Sequence, residues 1–156
     1  MHNNTTVIMI KKLILFVFSA IVMASCTTVR KSSVTLPLKE DLPSTTQFSN
    51  EFRMFWFDYA TEVNKKKKID NYRPSAGMIA HYGLGKDGNT YFLSGNLTIL
   101  PDIFNMDDAA QAGVRLKKMT YDIYTFSCDV KRLPLLIEIQ GIKYIELGHR
   151  VYQRLY

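Results

Sequence analysis

The stretch YDIYTFSCDVKRLPLLIEIQGIKYIELG, residues 121–148, decides the fold. Residues 123–130 alternate, with Tyr124, Phe126, Cys128 and Val130 on one side, as a half-buried strand requires. Residues 133–139 form a short apolar run of helical character, and Gln140-Gly141 closes it. Residues 142–147 return to an extended, β-rich pattern. The stretch therefore reads strand, short helix, strand.

Working outward toward the N-terminus, VRLKKM (residues 114–119) sets Val114 and Leu116 against Arg115 and Lys117, which predicts another strand. DIFNMDDAAQAG before it reads as a short helix or helical loop. In TYFLSGNLTI, residues Tyr91, Leu93, Gly95, Leu97 and Ile99 share one face, and Phe92, Ser94, Asn96 and Thr98 share the other. From Tyr91 onward the predicted order is β-α-β-β-α-β. That order predicts an α+β fold, specifically the ferredoxin-like antiparallel sheet with two helices on one face.

Two further elements precede this unit. Residues 78–101 read as two strands around Lys86-Asp87-Gly88-Asn89, since Asp-Gly between apolar runs is a hairpin signal. Gly83 to Gly88 matches G-x-G-x-x-G, but a strand follows it. A dinucleotide site needs a helix there, whose N-terminus holds the pyrophosphate, so the glycines are assigned to the turn. Residues 71–77 read as a loop. Residues 49–68 predict an amphipathic helix, with Phe52, Phe55, Trp56, Tyr59, Ala60 and Val63 on one face and Ser49 or Asn50 as its cap. The lysines at 65–68 suit the negative end of the helix dipole; a contact with a membrane surface or an acidic partner is the functional alternative.

The N-terminal region carries an address. Lys11 and Lys12 precede an apolar run over residues 13–23, too short to cross a hydrocarbon core of about 30 Å but suited to a signal peptide. The run ends in Met23-Ala24-Ser25-Cys26. This resembles the lipobox of bacterial lipoproteins, which implies cleavage before Cys26, lipid on its thiol and amine, and residence in the cell envelope. Acyl chains contribute about 0.8 kcal/mol per buried methylene, so several anchor a protein stably. Secretory cleavage near Ala24 or Ser25, or an uncleaved anchor starting near Val7, are the competing readings. The expected organisation is a signal peptide over 1–25, a flexible tether over 26–47 and one α+β domain over 48–156.

Composition narrows the function classes. The chain has 156 residues, 47% hydrophobic and 22% charged, with net charge +6, which suits one domain with one core. No basic helix with interleaved aromatics appears, so nucleic acid is not an expected partner. Two cysteines cannot build a disulfide framework, and Cys128 reads as a small core residue. His2, His81 and His149 are scattered, with no neighbouring ligand spacing, so neither a metal centre nor a catalytic triad is expected. No cofactor is implied.

Residues 90–156 resemble the N-terminal propeptide, or inhibitor-type, domain of subtilisin-like serine peptidases. The pieces that carry the likeness are Ala112-Gly113-Val114-Arg115-Leu116, Asp122-Ile123-Tyr124-Thr125, the helix over 133–139 and Gly141-Ile142-Lys143-Tyr144-Ile145-Glu146. The resemblance implies a sheet that packs on a protease and a following segment, residues 148–156, that enters the cleft like a substrate. It implies contacts from Tyr144, Glu146, Gly148, Val151, Tyr152, Leu155 and Tyr156. The family pattern continues into a catalytic domain, whereas this chain stops at Tyr156, so the expectation is a non-enzymatic domain that binds a protease in trans as inhibitor or folding helper. A structural or scaffold lipoprotein that binds another envelope protein, and a relic of a lost peptidase, are the alternatives.

Overall fold

A computed structural model describes residues 36–67 and 69–148. Its elements run β1 (Gln47–Phe48), α1 (Asn50–Lys66), α2 (Ala76–Tyr82), β2 (Gly85–Asp87), β3 (Thr90–Ile99), α3 (Met106–Gln111), β4 (Val114–Lys118), β5 (Ile123–Asp129), a 3-10 turn (Val130–Arg132), α4 (Leu133–Leu136) and β6 (Ile142–Leu147). The architecture is α+β, with a six-stranded mixed sheet. Strands follow the order β1-β6-β3-β5-β4, and β2 pairs with β3 off that path. Among the described residues only the β1–β6 pair is parallel; β2–β3, β6–β3, β3–β5 and β5–β4 are all antiparallel.

Alternation in the sequence becomes two faces of this sheet. Leu93 lies opposite Cys128, which lies opposite Val114; Leu97 lies between Tyr124 and Ile145. All of these are buried. Gly95 stands between Phe126 and Leu147 on the same face, and a Cβ there would meet the Phe126 ring at 2.8 Å and the Glu146 carbonyl. A register shift at Thr98/Ile99 brings Ile99 opposite Ile142, so the buried row continues across a bulge.

The aromatic helix packs on this same face. Ser49 starts α1, its hydroxyl accepting from the Phe52 amide at 3.2 Å, and Glu51 sits in the first turn. Lys65 and Lys66 lie in the last turn, and Lys67 closes the helix in the left-handed region. All six predicted face residues are buried. Phe48, at the register position of Ile145, stacks on Phe52 with ring centroids 5.2 Å apart. Farther along, the Tyr59 hydroxyl donates to the Val130 carbonyl at 2.6 Å. Leu133 and Leu136 of α4 and Ala109 of α3 join the same core. Helices thus cover one side of the sheet.

Three expectations change. Residues 36–47 are not a free tether. Leu38 is 7% exposed, and its amide and carbonyl are both bonded to the Asn64 side chain, at 2.7 and 3.0 Å. Trp56 Nε1 donates to the Lys39 carbonyl and Thr46 Oγ1 to the Ile142 carbonyl, both at 3.0 Å. The cause is the spaced leucines in a Ser/Thr/Pro-rich stretch: Leu38 joins the core, and Leu36 and Leu42 pack against it. Residues 1–35, over which the signal peptide and the rest of the tether were expected, lie outside the described residues.

The second change concerns residues 76–82, expected to be loop and strand, which form α2. Ser75 caps it by accepting from the Met78 amide at 3.2 Å, and Gly83 ends it at φ 62. A Ser cap and a Gly stop outweigh the β-like run between them. The hairpin itself stands, with Asp87 opposite Thr90 across Gly88 and Asn89. Third, the helix expected over 133–139 is shorter. Leu133–Leu136 forms its one turn, with Pro134 accommodated at its start, and Gly141, at φ 80, redirects the chain into β6.

Candidate protein-docking face

The side of the sheet away from the helices carries the complementary set of side chains. Thr98 faces Tyr144 and Asn96 faces Glu146 across the β3–β6 pair. Asn96 also faces Thr125, and Thr125 faces Lys117; Ser94 faces Ser127, and Ser127 faces Arg115. Each of these residues is half-buried or exposed. They follow from the period of two: every second position of a strand whose other face is buried points to this side. A shallow depression of about 520 Å³ lies here, lined among others by Ser94, Asn96, Arg115, Lys117, Thr125 and Ser127. The Arg115 guanidinium lies over the Phe92 ring, 4.5 Å from its centroid, which holds a cation on the face at low entropic cost.

Of the residues singled out from sequence, Tyr144 and Glu146 stand on this face on neighbouring outward positions of β6. Gly148 borders the depression, its amide donating to the Ser94 carbonyl at 3.1 Å. Val151, Tyr152, Leu155 and Tyr156 lie outside the described residues, as does Cys26. Sequence reasoning did not single out Arg115, Lys117, Ser94 or Ser127 as site residues. Their strands were read as alternating, and that alternation is the signal; what was missing was the strand order that sets them beside β6.

The chemistry of the remaining candidates is muted. Cys128 is buried, and its thiol is pushed up to about 12, first by burial and then by Asp129, with Arg132 opposing. A thiol held protonated is a poor nucleophile. His81 lies on α2 rather than on a strand, its ring edge-on to Tyr82 at 4.5 Å. Among the described residues no group of three or more His, Cys, Asp or Glu could hold a metal ion. Nor, among them, is any helix long and apolar enough to cross a membrane.

Three tyrosines share the behaviour of Cys128. Burial raises the phenols of Tyr59, Tyr72 and Tyr82; Glu62 adds to the effect at Tyr72, as Asp58 does at Tyr82. In each case the folded state holds its proton more tightly than the unfolded chain, where the thiol titrates near 9.0 and the phenols near 10.0. The stability contributed by these four groups is therefore fully present below about pH 9 and is lost as pH rises beyond it. Urea unfolding followed from neutrality into the alkaline range is expected to show this loss. Tyr59→Phe is expected to shallow the alkaline slope while lowering the neutral baseline by about 1–3 kcal/mol, since the Val130 carbonyl loses its partner.

Comparison of the chain with protein families, with curated proteins and with solved structures found no match. The face itself is a polar, hydroxyl- and amide-rich surface with cations on β4 and a carboxylate and a phenol on β6.

Proposed function

We propose that the chain is an envelope lipoprotein, anchored through Cys26, whose ferredoxin-like domain binds a subtilisin-like or other secreted protease in trans, as inhibitor or folding helper. The ferredoxin-like reading is supported by the strand order β6-β3-β5-β4, with every neighbour antiparallel and the elements in the order β-α-β-β-α-β. The observation that carries the functional reading is the sheet face that no helix among the described residues covers. With α1, α3 and α4 all feeding the core on one side, Tyr144 and Glu146 remain available on the other. The domain performs no chemistry of its own in this scheme.

An inhibition assay against subtilisin tests it. The Cys26→Ala chain is expected to inhibit, and Tyr144→Asp together with Glu146→Lys to weaken inhibition by about tenfold or more. Removal of residues 149–156 separates two mechanisms. Equal inhibition by the shortened chain rules out a tail that enters the cleft, and no inhibition by any form rejects the protease reading.

A scaffold role is favoured by a different observation. Leu100, Ile103, Met119 and Tyr121 are exposed, and the Ile99 amide bonded to the Asp122 carbonyl ties the end of β3 to the turn between β4 and β5. This apolar end lies away from Gly148, so protease binding through the sheet face and tail leaves it unused.

A further inference from the structure

We propose that the outer edge of β4 accepts an extended segment of a partner protein as an added strand, and that it selects one in which acidic and apolar residues alternate. The idea stands apart from the protease reading, because its main-chain contact is the edge of the sheet and it needs neither Tyr144, Glu146 nor the tail, although Arg115 and Lys117 also border the face.

The argument begins with the position of β4. Among the described residues it pairs with β5 alone and ends the sheet. The Met119 amide bonds to the Ile123 carbonyl, and the register places Lys117 opposite Thr125 and Arg115 opposite Ser127. Antiparallel ladders alternate, so these are the hydrogen-bonded pairs, and Thr125 Oγ1 donating to the Lys117 carbonyl agrees with that carbonyl facing inward. Leu116 is then in a non-bonded pair, with its N–H and C=O directed off the sheet.

An added antiparallel strand would bond to Leu116. Its residues opposite Arg115 and Lys117 would fall in the close pairs, with Cα atoms about 4.5 Å apart. Arg115 and Lys117 are about 6.8 Å apart along the strand, the same spacing as alternate residues of the incoming segment. Both cations stand on the open face, exposed, and Arg115 is held by Phe92. Of the nearby carboxylates, Asp107 and Asp108 belong to α3 on the core side, Asp122 lies in the turn before β5, and Asp129 stands opposite Phe92 on the open face, where its Oδ1 accepts from the Lys131 amide. Carboxylates of the partner meet the paired positive charge of Arg115 and Lys117 at the edge. The residue between them meets half-buried Leu116 on the other face, which favours an apolar side chain.

Edge cations commonly guard against unwanted pairing. Here that guard is selective: a second copy would set Arg115 and Lys117 against themselves, whereas an acidic strand reverses the sign. Main-chain bonds supply affinity and the alternate side chains supply choice.

The test uses a short synthetic peptide alternating glutamate and valine, titrated against the Cys26→Ala chain with binding read from heat and from the Leu116 amide resonance. Binding with a shifted Leu116 amide is expected. The R115E/K117E variant, checked for folding by circular dichroism, is expected to bind it about tenfold more weakly and to prefer a lysine–valine peptide. A glutamate–valine peptide N-methylated at its valines keeps its charge but loses the bonds to Leu116, and is expected not to bind. Equal binding by the charge-reversed variant, or by the N-methylated peptide, overturns the proposal, as does no binding of the parent peptide.

Discussion

Phe55→Ala lowers the stability of the domain by about 3–5 kcal/mol. The Phe55 ring is 0% exposed and is framed by other rings: Tyr59 stacked at 5.8 Å, Phe52 tilted at 6.2 Å and Tyr82 edge-on at 5.1 Å. Those neighbours are stiff and held from their far sides. Tyr59 is tied to Val130 and Tyr82 to Asp58 through their hydroxyls, so they cannot collapse into the space. Small domains have about 5–15 kcal/mol in total, so the loss takes a large share. Phe57→Ala on the same helix is the control. That ring is 54% exposed, and its removal is expected to cost less than about 0.5 kcal/mol. Urea unfolding of the two variants reads the difference; equal losses would mean that α1 presents a different face to the sheet.

Gly141→Ala has the second largest expected effect, about 2–4 kcal/mol. The residue turns the chain into β6 at φ 80, where a Cβ is strained. That Cβ would also lie 2.5 Å from the Phe104 nitrogen and 2.6 Å from its Cα, which are backbone atoms with little room to yield. The amide of Leu100 bonds to the Gly141 carbonyl at 2.7 Å, so the two chain segments are locked together at this point. Gly88→Ala separates the two causes. It has φ 56 but nothing within 4 Å of its Cβ, so only the left-handed penalty of about 1–2 kcal/mol applies. Thermal unfolding of both variants measures the part due to backbone contact.

The parts of the fold that could be read from sequence are those with a strong period. α1 shows its six apolar positions at helical spacing, and β3 and β5 alternate cleanly, because each element has one face in the core and one in water. α2 was not legible as a helix. It is short, its sole buried residue is Met78, and a seven-residue segment shows too little of a 3.6-residue period. Residues 36–47 were obscured by composition: Pro, Ser and Thr suggest a linker, while Leu38 and Thr46 are fixed by partners far along the chain. The candidate docking face is half legible in the sequence. Tyr144 and Glu146 were singled out through a resemblance, whereas Arg115 and Lys117 join the site through strand order, which a local pattern does not encode.

The short β1–β6 pair also sets how the domain resists tension. These strands are parallel, so a pull toward the N-terminus at residue 36 and an opposite pull beyond Gly148 drag them past one another lengthwise. The Ser49–Ile145 and Thr46–Ile142 bonds then share the load and fail together, in shear, instead of parting one by one as an unzipping hairpin would.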